Sequence, residues 1–158
     1  MYKSVLDYFE ETVKRVPEKK AIRHNEDDCT FAMLQEQAQK LGSYMIELVG
    51  DIKNRPIVVL LPKSMDAVVA DLGISYSCNI FNNLDVKTPV HRLENIIKLL
   101  KPVMVITNNA YKDMLSWQEY DVKLLNLDET VLCDININAE ELEKRRKELK
   151  VWKERICI

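Results

Sequence analysis

Between Pro56 and Thr107 the chain alternates short, largely apolar runs with longer periodic ones: "IVVLL", "IFNNL" and "VMVIT" recur about every 23 residues. Runs this short and this apolar fit strands covered on both faces, and the periodic stretches between them fit amphipathic helices. In the first helix Met65, Val68, Val69, Leu72 and Tyr76 are read as inward, and in the second Val90, Leu93, Ile97 and Leu100. Strand, helix and strand repeated in this way predict right-handed βαβ crossovers and a parallel sheet with helices on its faces. "NAYKDMLSW" and "VKLLNL" add a further helix and strand to the expectation.

The flanks carry other patterns. Ser4 with Asp7 three residues later is an acidic variant of the capping box, and Val5, Phe9 and Val13 form a stripe, so a helix over about 4–16 is predicted, stopped by Pro17. "KKAIRH", "NEDD" and "CTF" read as a hairpin, after which Thr30 can cap a helix with Leu34, Ala38, Leu41, Met45 and Leu48 inward. In the tail, Glu140, Glu141 and Glu143 stand four residues ahead of Lys144, Arg145 and Lys147. The charges are expected to pair along a solvated helix face with Leu142, Leu149 and Trp152 behind it. The closing "RICI" is apolar and β-like, which reads as a segment of a longer polypeptide.

Composition narrows the partners. At 158 residues and 47% hydrophobic, the chain can fill one sizeable core and not two, so residues 1–158 are expected to form one domain or part of a larger one. A net charge of -2, from 23 basic and 25 acidic residues, gives no general attraction to nucleic acid or to an anionic membrane. The basic run at 144–147 lacks the interleaved aromatics of a nucleic-acid platform. No secretory h-region opens the chain and no apolar run approaches the about 20 residues of a membrane span, so a cytoplasmic protein is expected. Cys29, Cys78, Cys133 and Cys157 form no C-x-x-C pair, and only His24 and His91 accompany them; neither a metal site nor a disulfide framework is expected.

Candidate chemistry is sparse. The three glycines build neither a G-x-x-x-x-G-K-[ST] nor a G-x-G-x-x-G loop, no G-x-S-x-G elbow occurs, and neither histidine has the context of a general base; no catalytic residue is assigned. His91, in the first turn of its helix and opposite the inward stripe, is read as a surface residue. "LLPKSMD" is the remaining candidate: a strand runs into Ser64 at a helix start with Lys63 beside it, where helix N–H groups attract anions. Lys63 and Ser64 are therefore candidate anion-binding residues; the plainer alternative is that Ser64 caps the helix and Lys63 is solvated. In "LDVKTP", Asp85 and Thr88 are expected to cap the next helix, Pro89 to occupy its first position, and Arg92 to pair with Asp85.

The order of these stretches resembles the adenylate-forming, AMP-dependent synthetase and ligase superfamily, which includes acyl-CoA synthetases, luciferases and nonribosomal peptide synthetase adenylation domains. "VLDYFEETVKRVPEKKAI" is similar to its opening helix and strand, and "CTFAMLQEQAQKLGSYM" to its Thr-Tyr segment and following helix. The run from "PIVVLLPKSMD" through "LGI" to Leu84, Asp85, Pro89 and Arg92 resembles the strand, the Ser-initiated helix and the "LD" corner. Two departures stand out. Ser77, Cys78 and Asn79, then Asn82 and Asn83, occupy the place of a small, Gly-containing stretch and a proline. The family's phosphate loop ending in Pro-Lys-Gly, its acidic ATP-contacting motifs and its carboxy-terminal catalytic lysine have no counterpart.

The resemblance implies an α/β fold belonging to the large amino-terminal domain of such an enzyme, with ATP and Mg²⁺ as cofactors of the complete protein. A small carboxylic acid and a thiol acceptor, CoA or a carrier protein, are its implied partners. The 158 residues alone are expected to be inactive, to bind no ATP, and to self-associate through surface left uncovered. The competing reading is a flavodoxin-like or receiver-like module, for which Asp27 and Asp28 follow a strand. A receiver also needs an isolated Asp after its third strand and a Lys after its fifth, and neither occurs at the right spacing.

Overall fold

A computed structural model describes residues 4–24 and 27–156. Four parallel strands form the sheet: β3 (Pro56–Val59), β4 (Ile80–Asn83), β5 (Met104–Thr107) and β6 (Lys123–Asn126), in the order β4-β3-β5-β6. Before them come α1 (Val5–Arg15), the antiparallel hairpin β1 (Lys20–His24) and β2 (Asp27–Thr30), and α2 (Phe31–Val49); α3 (Met65–Tyr76) and α4 (Val90–Leu100) are the crossovers, and α5 (Ala139–Ile156) closes the order. The expected α/β class, parallel sheet and side hairpin are all present.

Alternation along β3 explains its continuous apolar sequence. Ile57 and Val59 pack with Leu41, Met45, Val69, Ile74 and Ile106 on the face covered by α2 and α3. Val58 and Leu60 pack with Leu93, Ile97, Leu115 and Trp117 on the face covered by α4. A strand buried on both faces has no polar side to show. From β3 the chain moves outward to β4 over one face and returns past β3 to β5 over the other, so the two crossovers share one hand.

The terminal caps follow the sequence closely. Ser4 and Asp7 make the reciprocal capping box, with Asp7 N–H donating to Ser4 Oγ at 3.2 Å and Ser4 N–H to Asp7 Oδ2 at 2.7 Å. Thr30 Oγ1 accepts from Met33 N–H at 3.2 Å and starts α2. The helices α2 and α3 then cross closely, because Gly42 and Gly73 face each other. A Cβ on Gly42 would lie 3.0 Å from the Gly73 carbonyl oxygen and from Tyr76 Cβ.

Several expectations are corrected. Residues 108–116 are turns rather than a helix, followed by a 3₁₀ turn at Trp117–Glu119. The Asn108 side chain accepts from Ala110 N–H at 3.2 Å, and Trp117 Nε1 donates to the Lys112 carbonyl; these local bonds compete with a helical ladder. Val68 and Val90, read as inward, are 37% and 49% exposed. On α3 the buried stripe is instead Val69, Ala70, Gly73, Ile74 and Tyr76, the face on which α2 approaches Gly73. Arg155 and Ile156 of "RICI" belong to α5, not to an extended run, and Cys157 and Ile158 lie outside the described residues.

The largest correction concerns the tail. Glu141 and Arg145 do pair, at 2.9 Å, and Glu143 with Lys147 at 3.8 Å, but the helix is not a solvated face throughout. Arg145 is 1% exposed. Its guanidinium donates to the carbonyls of Gly50 at 2.7 Å, Ile52 at 3.1 Å and Ser77 at 3.4 Å. Arg146 donates to both carboxylate oxygens of Glu10 at 2.8 Å and to Asp7 Oδ1 at 2.7 Å, and Tyr76 Oη donates to Glu10 at 3.1 Å. Leu142 is buried with Leu6, Ala38 and Tyr76, as expected of it, while the side chains of Leu149 and Trp152 lie outside the described residues.

Removing the buried Arg145 side chain breaks its pair with Glu141 and takes a donor from the Gly50, Ile52 and Ser77 carbonyls, of which Ile52 and Ser77 keep only Asn79 Nδ2, so Arg145→Ala is expected to lower stability by about 3 kcal/mol. Lys147→Ala, at a side chain 73% exposed, should change it by less than about 0.5 kcal/mol. Urea unfolding followed by far-ultraviolet circular dichroism reads both.

Candidate functional site

In an open parallel sheet, ligands collect beyond the carboxyl ends of the strands where neighbouring connections leave in opposite directions. Here that point lies between β3 and β5: the connection after β3 crosses one face toward β4, and the one after β5 crosses the other toward β6. Leu60 N–H donates to the Ile106 carbonyl at 2.9 Å, and the buried Thr107 Oγ1 donates to the Leu60 carbonyl at 3.1 Å, so the two strand ends are bound together. Beyond them, residues 61–64 and 107–109 flank this point.

Lys63 and Ser64 therefore stand beside this point. Lys63 is exposed, and Ser64 is the N-cap of α3, its Oγ accepting from Ala67 N–H at 3.2 Å. The cap uses the acceptor side of the hydroxyl, and Asp66 places a carboxylate in the same first turn. The structure shows the Ser64 cap directly.

The "LD" corner differs from its expectation. The helix α4 begins at Val90 with Pro89 as its N-cap, and no side chain caps it. Asp85 turns back on its own loop, its Oδ1 accepting from Lys87 N–H at 2.9 Å, while Thr88 N–H donates to the Asp85 carbonyl. Starting the helix after Pro89 leaves Asp85 too far upstream to reach the first-turn N–H groups, so neither it nor Thr88 is the cap. Arg92 is exposed and forms no ion pair with Asp85 among the described residues. His91 is exposed, as read from its helical position.

Other polar groups on this edge were not anticipated. Asn126 donates to Asn109 Oδ1 and to Glu129 Oε1, each at 2.8 Å; Asn109 N–H donates to Asp128 Oδ2 at 2.9 Å, and Lys112 pairs with Glu129 at 3.0 Å. This network ties the segments after β5 and β6 and satisfies itself. The clue was present in "TNN" and "NLDE", each directly after an apolar strand.

More unusual is the Asp71–Asn83 pair. Asn83 Nδ2 donates to Asp71 Oδ2 at 2.9 Å, but Asp71 Oδ1 is buried and has no partner. Burial raises the Asp71 carboxyl above its usual value, and the Asn83 donor offsets part of that. Asn83 is one of the departures from the family pattern; so is Cys78, which takes a left-handed φ of 63° after α3. A residue with a side chain costs about 1–2 kcal/mol there, where glycine would not.

Two features bear on other readings. Asp28 pairs with Lys20 and, at 3.1 Å, with Arg23 on its own antiparallel hairpin, away from the parallel sheet edge where a receiver would place it; the side chain of Asp27 lies outside the described residues. No group of three His, Cys, Asp or Glu suited to a metal occurs among the described residues. No helix among them is long and apolar enough to cross a membrane.

Comparison with known proteins decides the family. The model of the AMP-binding enzyme family matches residues 9–156. The chain belongs to that family. It is 28% identical over 132 residues to nonribosomal peptide synthetase kk1B of Curvularia clavata, covering 81% of this chain and 1% of that one. It is 24% identical over 127 residues to surfactin synthase subunit 1 of Bacillus subtilis, covering 80% and 4%. Among solved structures, VinN in complex with 3-methylaspartate superposes with a TM-score of 0.72 at 20% identity, covering 92% of this chain and 38% of that one. Klebsiella oxytoca NpsA superposes at 0.75 and 15%, covering 87% and 27%. The chain thus spans 4% or less of these curated relatives and 38% or less of these solved chains. The α/β architecture is that of adenylation domains.

Asp71 supplies the test at this edge. A carboxyl whose folded pKa is raised favours the folded state in its protonated form; that contribution is complete below the ordinary value of 3.8 and is lost as pH rises through the raised one. Measured against Asp71→Asn, the wild-type chain should therefore gain relative stability as pH is lowered from about 7 toward 3.8, read from urea midpoints of both proteins across that range. A pH-independent difference would count against a buried carboxylate.

Proposed function

We propose that this chain is the amino-terminal part of an ATP-dependent, AMP-forming ligase that activates a carboxylic acid as its adenylate and passes the acyl group to a thiol. The carrying observation is the family match over residues 9–156, on a sheet whose carboxyl edge opens at the expected switch point. Structural neighbours support the cofactor and substrate classes. FmoA3 is known in an AMPPNP-bound form and in an α-methyl-L-serine-AMP-bound form, and an NpsA–ThdA protein is an artificially fused adenylation–PCP di-domain. An amino acid or similar small acid, and a carrier-protein thiol, are the favoured partners on these grounds; CoA is the alternative acceptor.

Adenylation sets a carboxylate oxygen against the α-phosphorus of ATP, so charge grows on phosphate oxygens and has to be met by fixed N–H groups, a cation and Mg²⁺. The present residues fit only a fraction of that requirement. Lys63 can offer one exposed cation and the α3 start a few N–H groups, but Ser64 is engaged as a cap and Asp66 opposes an anion. No glycine-rich loop lies within the 158 residues to wrap a triphosphate. We place Lys63 and Ser64 as a weak, salt-sensitive anion contact and assign the chemistry to the remainder of the enzyme.

Titration calorimetry of the 158-residue chain with ATP and Mg²⁺ is accordingly expected to show no micromolar binding, and a pyrophosphate-release assay no turnover with any carboxylate. Micromolar binding or turnover would place the catalytic set inside this chain. The complete polypeptide of which the chain is part should catalyse pyrophosphate exchange that depends on one acid in a panel of amino and fatty acids. Failure with every acid would remove the ligase reading.

A further inference from the structure

The two edges of the sheet are not equally protected. An exposed strand edge is a template for another strand, and proteins blunt it with charge, proline or a bulge. The edge strand β6 begins with Lys123, whose Nζ donates to the Leu48 carbonyl, and the adjoining segment carries Asp121. The other edge strand, β4, is Ile80-Phe81-Asn82-Asn83, with no charge, no proline and no bulge against β3. Its residues pair one to one with Pro56 through Val59 on the β3 side only.

Backbone directions sharpen the contrast. Ile80 N–H donates to the Arg55 carbonyl and Leu84 N–H to the Val59 carbonyl, so the even-numbered residues aim at β3. By alternation, the N–H and C=O groups of Phe81 and Asn83 aim at the open edge. The side chains add apolar area on both faces: successive residues point to opposite sides, and Ile80 is 53% and Phe81 44% exposed. The α3 face that meets β4 carries Asp71, bound to Asn83, with Val68 one turn earlier at 37% exposed. Asp71 Oδ1 is the one buried side-chain oxygen or nitrogen without a partner among the described residues.

We propose that β4 is a pairing edge, and that in the isolated 158-residue chain its occupant is β4 of a second copy, giving an antiparallel two-fold dimer with a continuous eight-stranded sheet. The edge is self-complementary in the sense a two-fold contact requires: each copy offers outward N–H and C=O groups and exposed apolar side chains on both faces. Neither strand brings a like charge to the contact. Four residues of pairing with a helix ledge bury less than the about 1,200 Å² of a standard stable interface, so the dimer is a weak one with micromolar dissociation.

Sedimentation velocity of the chain from about 5 to about 500 µM tests this, at concentrations that bracket a weak interface. The weight-average mass should rise from the monomer toward twice that value. Phe81→Lys, and independently Ile80→Lys, should each weaken dimerisation at least tenfold by setting like charges against each other, whereas Leu124→Lys on the β6 edge should leave it unchanged. Circular dichroism confirms that each variant is folded, and both target side chains are substantially exposed. Hydrogen exchange supplies a readout that needs no variant: the Phe81 and Asn83 amides should become slow only at high concentration. A monomer at every concentration, a dimer indifferent to both β4 variants, or one dissociated by Leu124→Lys would overturn the proposal.

Discussion

A guanidinium buried against three main-chain carbonyls organises the lower end of this molecule. Arg145 reaches Gly50 and Ile52 in the segment leading to β3 and Ser77 at the end of α3, so one side chain ties two connections together. Asn79 completes the knot, its Oδ1 accepting from Arg55 N–H and its Nδ2 donating to the Ile52 carbonyl. Turning segments cannot be covered by a helix unless their polar groups are met, and arginine, with five donors in a rigid fork, meets several at once. The α5 helix is thereby a lid on the loops and not an appendage. Arg146 extends the same logic to α1 through Asp7 and Glu10, so the carboxyl-terminal helix also fixes the position of the first one.

The opposite end of the sheet is organised by topology. Because the connections after the adjacent strands β3 and β5 leave in opposite directions, the switch point arises from strand order, before any particular side chain is considered. The buried polar contacts of Arg145 and Asn79 concentrate stability at the amino-terminal ends of the strands. A depression of about 600 Å³ does open at the stable end, lined by Arg55, Lys98, Lys101 and Tyr120, but the loops that distinguish the switch point are not there.

What could be read from the sequence was what repeats. Strands buried on both faces announce themselves as apolar runs, and Ser4, Thr30 and Ser64 announce helix starts because their side chains satisfy N–H groups locally. What could not be read depended on distant partners. Arg145 looks like one more solvated charge in an i,i+4 ladder until Gly50, Ile52 and Ser77 are brought beside it. Val68 and Ala70 are both apolar, and only the approach of α2 at Gly42 and Gly73 selects the smaller for burial. Asp85 was a good capping residue at a corner whose helix starts elsewhere, whereas the Ser64 cap was legible because a strand end followed by a helix start is local in sequence. The Asp71–Asn83 pair lies 12 residues apart across a crossover and leaves no periodic trace.

The cysteines carry a consequence for how this molecule can be followed in solution. Cys29 and Cys78 are buried at 1% and 3%, and burial pushes the Cys78 thiol up to about 11, so at neutral pH the folded chain holds it as an inert thiol. Cys78 also sits at the left-handed corner beside Ser77 and Asn79, inside the polar knot. Cys133, by contrast, is exposed. Among the described cysteines an alkylating reagent therefore distinguishes a surface position, reacting at once, from two interior ones that respond only when the region around them opens. The thiol at residue 78 is a native chemical gauge of whether the carboxyl-terminal helix is seated.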